Sequence, residues 1–132
     1  MQEQQPRIFI IEDNPVFQTL MLKQLDDIKR DIQVYGDGES FLLENKFTAA
    51  DIIILDYQLE GTITGYDILK ELKKLEHIPS VIFFSGNLEI SITSSILKLG
   101  VVEYIEKNIF SLARLKNSIV HVMGNYLKRS VA

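Results

Sequence analysis

The chain has no cysteine and no tryptophan, only three prolines, and no hydrophobic run long enough to cross a bilayer. Each absence closes a class. Without cysteine there are no disulfides, no thiolate metal sites and no cysteine nucleophile. The opening MQEQQPRIFI has no basic stretch followed by a long apolar one, so it does not read as a signal peptide. No apolar run approaches the roughly 18 residues that a spanning helix needs, so no membrane insertion is expected. Lys and Arg number 14 against 18 Asp and Glu. The formal charge of −4 argues against a basic surface for phosphates, and hence against direct nucleic-acid binding. A cytoplasmic location is the expectation. What remains is a chain of 132 residues, 46% hydrophobic and 24% charged, the size of one compact domain with one core.

Apolar clusters alternate between two periods along the chain. RIFII is a short β-branched and aromatic run, long enough for a buried strand and too short for a helix. PVFQTLMLKQLDDI then sets Phe17, Met21, Leu25 and Ile28 on one helical face, with Val16 and Leu20 beside them. Asn14 can cap that helix, and Pro15 suits its first turn. DIQVYG predicts a second strand, GESFLLENK a short second helix, and DIIIL the third and most apolar strand. YDILKELKKL carries Ile68, Leu72 and Leu75 on one face. SVIFFS predicts strand four, LEISITSSILKLG a helix ended by Gly100, and VVEYIE strand five. The last helix is expected from about Ile109 to Leu127, stacking Leu112, Leu115, Ile119, Val122 and Tyr126. Five strands alternating with five helices predict an α/β fold: one doubly wound (βα)5 domain over residues 1–132, core about 7–128, with a five-stranded parallel sheet covered on both faces.

Open α/β sheets bind ligands at the carboxyl ends of their strands. Strand one here ends in Glu12 and Asp13, strand three in Asp56, strand four in Ser85, and strand five is soon followed by Lys107. An apolar strand has no structural need for a terminal charge, and burying one is expensive unless it is used. A common site would explain all of them. Three clustered carboxylates repel one another unless a cation neutralises them, and hard oxygen ligands favour Mg²⁺. Lysine supplies a mobile positive charge and serine a hydroxyl donor. Acid, metal, lysine and hydroxyl together suit phosphoryl transfer, with a carboxylate as nucleophile, and Asp56 is the natural candidate.

These residues and motifs resemble the receiver domains of two-component response regulators, over nearly the whole chain. IIEDN supplies the acidic pair Glu12 and Asp13, IIILDYQL the phosphoacceptor aspartate Asp56, VIFFSGN the hydroxyl residue Ser85, and YIEKN the lysine Lys107. Tyr104, three positions before that lysine, matches the aromatic switch residue. The resemblance implies a flavodoxin-like fold and a phosphoryl group passed to Asp56 from a sensor histidine kinase or histidine phosphotransfer protein. It implies Mg²⁺ held by Asp13, Asp56 and the backbone carbonyl of Gln58, with Glu12 acting mostly through bound water. Lys107 and Ser85 would contact the phosphoryl oxygens, and Tyr104 would turn inward as Ser85 moves, altering the helix 4–strand 5–helix 5 surface. Receivers often pair through that surface, so a homodimer is a family expectation, and the downstream partner is an unspecified protein. Such a domain catalyses only its own phosphoryl transfer and dephosphorylation.

Besides Glu12, which stands where aspartate is commoner, the sequence departs from the family pattern in two places. The loop LEGTITG lacks the usual proline, and Gly65 lies nine positions beyond Asp56 where eight is common. Asn108 stands where a proline usually follows the lysine. These departures raise a second reading, a degenerate receiver acting only as a protein-interaction module. A third, a hydrolase resembling the haloacid dehalogenase family, would need a second aspartate two positions after Asp56, where Gln58 stands. Taken singly, each residue has a plainer reading. Asp13 beside Asn14 and Pro15 marks a helix start, Ser85–Gly86 a turn, Lys107 a solvated charge and Tyr104 a strand residue. Asp51 reads as a boundary residue, and His77 and His121 as surface residues. The short lead from Met1 to the first strand suggests a native start.

Overall fold

The structure is a computed structural model that describes residues 5–28, 30–43 and 46–131, with side chains described to residue 125. The elements run β1 Ile8–Ile11, α1 Pro15–Gln24, β2 Ile32–Tyr35, α2 Gly38–Leu42, β3 Ile52–Leu55, α3 Gly65–Leu72, β4 Ser80–Ser85, α4 Ile90–Leu99, β5 Glu103–Glu106, a 3-10 turn at Ile109–Ser111, and α5 Leu112–Val131. All pairings are parallel, and the strand order is β2-β1-β3-β4-β5. The α/β fold with a five-stranded parallel sheet, expected from the alternating periods, is the fold observed. Glu44 and Asn45 in the expected second helix, and the side chains of Tyr126 and Leu127 in the last, lie outside the described residues.

Every residue of β1 and β3 is buried. Successive side chains on a strand point to opposite faces, so each strand feeds two cores. Ile8, Ile10, Ile52, Ile54, Ile82 and Phe84 meet Met21 of α1, Leu25 at its end, and Leu112, Leu115 and Ile119 of α5 on one face. On the other, Phe9, Ile11, Ile53, Leu55 and Phe83 meet Phe41 of α2, Ile68, Leu69 and Leu72 of α3 and Ile96 of α4. Each fully buried aliphatic side chain contributes about 1.5–3 kcal/mol. Neither face of such a strand could turn to water without giving up one core, which is why these runs do not alternate with polar residues.

Local chemistry sets the helix starts. The Asn14 side chain accepts from the backbone N–H groups of Val16 and Phe17, and Pro15 needs no donor there. Thr64 and Asp67 form a reciprocal capping box at α3. Gly100, at φ +87°, ends α4. The last helix departs from expectation at its start. Ile109–Ser111 form a 3-10 turn because Asn108 accepts from the Phe110 N–H while Ser111 bonds back to Asn108.

Register places the site. Ile11 of β1 is level with Leu55 of β3, and the Asp56 N–H donates to the Ile11 carbonyl at 3.3 Å. The residues that follow, Glu12 and Asp56, therefore emerge side by side. Ser85 of β4 is level with Glu106 of β5, and the Lys107 N–H donates to the Ser85 carbonyl at 2.7 Å. At the opposite rim, Asp51 is more than a boundary residue. It is fully buried and takes a two-pronged bond from Arg7, at 3.0 and 2.7 Å, plus the Thr48 N–H. No helix among the described residues is long and apolar enough to cross a membrane.

Candidate functional site

Glu12 and Asp13 follow β1, Asp56 follows β3, Ser85 ends β4 and Lys107 follows β5, so all five stand at one rim of the sheet. Glu12 and Asp56 are 1% and 4% exposed, and Asp13 is half-buried. One carboxylate oxygen from each of the three acids lies within 4.8 Å of the others. The Lys107 ammonium bridges two of them, donating to Asp56 Oδ2 at 2.5 Å and to Glu12 Oε1 at 2.8 Å. Ser85 Oγ donates to Asp56 Oδ1 at 2.7 Å and accepts the Tyr57 N–H at 3.2 Å. Both oxygens of Asp56 are thus held.

The charges respond to this setting. Burial pushes the Glu12 carboxyl above its ordinary value, against the hydrogen bond from Lys107 that pulls it down. Burial alone would lower the Lys107 ammonium, but its bonds to Asp56 and Glu12 outweigh that and hold it above its ordinary value. The lysine therefore stays charged at neutral pH. Three acids against one ammonium leave the cavity, about 250 Å³ and lined by Asp13, Asp56, Gln58, Ser85 and Lys107, as a ready place for a cation. The donors are hard oxygens with room for water, which fits Mg²⁺.

Sequence reasoning missed the residues that support these groups. The Asn14 N–H donates to Glu12 Oε2 at 3.0 Å, and Gln18 Nε2 donates to the Glu12 carbonyl at 2.6 Å. The Lys107 ammonium lies 5.1 Å from the centre of the Phe17 ring, which itself packs edge-on against Phe84. Phe17 was legible only as a core position. A stacked or cationic contact has no signature in a helical repeat.

Tyr104 lies outside this cavity. Its hydroxyl donates to the Gly86 carbonyl at 2.6 Å, and its ring stacks on Phe83 at 6.1 Å. It lines a second, larger groove of about 670 Å³ between α4 and β5–α5, with Leu88, Ile90 and Leu97. His77 and His121 are exposed.

The two departures of the sequence have local solutions. A Cβ on Gly65 would stand 2.0 Å from the carbonyl oxygen of Asp56, so α3 starts hard against the aspartate's own backbone. Between them the loop turns through Gly61 at φ +97°. The described residues contain no cis peptide bond, so Lys107–Asn108 is trans, and Lys107 still reaches Asp56.

An open parallel sheet of this order is that of the flavodoxin-like class of α/β domains. The family model described as response regulator receiver domain matches residues 8–120, and the chain belongs to that family. It is 30% identical over 105 residues to the transcriptional regulatory protein BaeR of Escherichia coli O6:H1, covering 80% of this chain and 43% of that protein. It is 35% identical over 74 residues to the sensory transduction protein RegX3 of Mycolicibacterium smegmatis, covering 56% and 32%. The chain thus spans less than half the length of these curated relatives. A solved signal receiver domain from Vibrio parahaemolyticus matches with a TM-score of 0.84 at 22% identity, over 97% of each chain. The receiver domain of a sensor histidine kinase from Pseudomonas aeruginosa PAO1, described with a magnesium ion coordinated in its active site cleft, matches at 0.75 and 23% identity, over 92% of this chain and 99% of that one. Receivers are signalling modules of two-component systems that accept a phosphoryl group and interact with sensor histidine kinases.

Proposed function

We propose that this chain is a phosphoacceptor switch in which Asp56 takes a phosphoryl group from a phosphohistidine. The observation that carries the reading is the Asp56 carboxylate itself, nearly buried yet facing a polar cavity, with Lys107 on one oxygen and Ser85 on the other. In the transfer, an Asp56 oxygen forms the new P–O bond as the P–N bond of the donor breaks, and the imidazole leaves with that electron pair. Lys107 and Ser85 pass from the aspartate oxygens to the oxygens of the incoming group, so their donors never lack a partner. Asp13 and Asp56, with the Gln58 carbonyl, would hold Mg²⁺, and Glu12 would act through bound water. When bound, that ion would supply charge neutralisation for the phosphoryl oxygens.

The switch follows from a shared neighbourhood. Ser85 precedes Gly86, whose carbonyl accepts from the Tyr104 hydroxyl. Drawing Ser85 toward a phosphoryl group disturbs that acceptor, frees the ring to turn inward, and reshapes the α4–β5–α5 groove. The donor approaches over the rim, where Val16, Ile109 and Phe110 leave apolar side chains exposed on the segments flanking the acids and the lysine. The donor is expected to be a sensor histidine kinase or a histidine phosphotransfer protein.

Beryllofluoride uptake with Mg²⁺, followed by fluorine NMR on the full chain, tests the reading. The unaltered protein should bind and Asp56→Asn should not. Equal signals from both, or none from the unaltered chain, overturn it and leave the interaction-module reading.

A further inference from the structure

The loop that joins Asp56 to α3 is held from outside the pocket. Asp37 caps α2, which places Gly38 and Glu39 in its first turn, facing that loop. Glu39 Oε1 accepts both the Thr62 N–H at 2.9 Å and the Thr62 hydroxyl at 3.0 Å. A Cβ on Gly61 would stand 2.6 Å from Glu39 Oε2, so the loop passes close over the carboxylate, and the φ of +97° there favours glycine. One residue earlier, Glu60 forms an isolated parallel bridge with Asp37. Two residues later, Ile63 lies over Gly38, with its Cδ1 2.7 Å from where a Cβ there would sit. Four consecutive loop residues are therefore docked on three consecutive residues of α2 and its cap. The Thr62 backbone bond holds the Glu39 carboxyl below its ordinary value, as a carboxylate engaged by donors should be.

This docking begins two residues beyond Gln58. A loop left free here would have to be ordered whenever its backbone took part in binding, and that ordering would weaken the affinity. We propose that Glu39 is a positioning residue: its bonds to Thr62 preorganise the β3–α3 loop, and with it the Gln58 carbonyl, for a divalent cation. The proposal rests on the phosphoacceptor reading of Asp56 and adds to it a determinant on α2, 17 positions before that residue.

Glu39 is also an anion, so removing it takes away some long-range attraction for a cation. Glu39→Gln separates the two effects, because the amide oxygen can still accept from Thr62. Three measurements on the full chain decide the matter: Mg²⁺ titration by calorimetry, amide hydrogen exchange of Thr62 in the metal-free protein, and the urea midpoint. Glu39→Ala should weaken Mg²⁺ binding at least about threefold and speed Thr62 exchange by a similar factor, with only a small fall in the urea midpoint from the lost acceptor. Glu39→Gln should recover most of both losses. Unaltered Mg²⁺ affinity in Glu39→Ala overturns this inference alone, as does a Glu39→Gln variant that behaves like Glu39→Ala. Absence of Mg²⁺ binding by the unaltered chain overturns the phosphoacceptor reading along with it.

Discussion

The Lys107 ammonium stands 2.5 Å from Asp56 Oδ2, although 51 positions of chain separate the two residues. The same ammonium serves Glu12, so one cation answers for two nearly buried acids, and it makes no such bond to Asp13 among the described residues.

That imbalance sets the first prediction. Asp13→Asn removes one of three like charges within 4.8 Å and should stabilise the metal-free protein by about 1 kcal/mol. The unaltered chain, by contrast, should gain about 2.7 kcal/mol from Mg²⁺ at a hundredfold excess over its Kd, and the variant far less. Urea unfolding with and without Mg²⁺ reads both. A less stable Asp13→Asn protein that still responds fully to the metal would make the acid a structural residue.

Gly65 should be irreplaceable. At an unobstructed helical position, Gly→Ala is worth about 0.5–1 kcal/mol of added stability. Here the new Cβ would fall 2.0 Å from the Asp56 carbonyl oxygen, a backbone atom that cannot rotate away. Gly65→Ala should therefore cost about 2 kcal/mol or more and weaken beryllofluoride binding, because the shift passes directly to Asp56. Full stability in thermal unfolding would refute the close approach.

Arg7 and Asp51 should respond unequally. Removing the arginine strands a carboxylate with no exposed surface, whereas Asp51→Asn keeps an acceptor for the Thr48 N–H. Arg7→Met is expected to lose about 3–5 kcal/mol in urea unfolding, and Asp51→Asn clearly less.

The capping box at α3 gives a pH signature. Hydrogen bonding from the Thr64 backbone holds the Asp67 carboxyl below its ordinary value of 3.8. A depressed acid binds fewer protons folded than unfolded, so its contribution is complete above that ordinary value and fades as pH falls through the folded one. Between pH 5 and about 3, the stability of the unaltered chain should fall more steeply than that of Asp67→Asn. The side chain is partly exposed and screened by water, so the difference is small, and parallel curves would discount the bond.

Much of this arrangement was legible in the sequence because its causes are local. A strand buried on both faces must be apolar throughout, so IFII and IIIL announce themselves, and a carboxylate that ends such a run stands out. The Asn14 side chain and the bare backbone of Gly100 mark helix ends by their own chemistry. What was hidden depends on distant partners. Nothing near Asp51 points to Arg7, 44 positions away, and Glu39 reads as an ordinary charge on a short helix until Thr62 is placed beside it. The 3-10 turn at Ile109 escaped notice for a different reason. Its apolar residues continue the helical pattern, and only the reciprocal bonds of Asn108 and Ser111 tighten the first turn.

The order of the strands has a mechanical corollary. β1 and β3, which deliver the acids, each have a neighbour on both sides, while β5, which delivers the lysine, is gripped on one side only. The acids thus stand on the part of the rim that pairing constrains most, and the lysine on the part it constrains least.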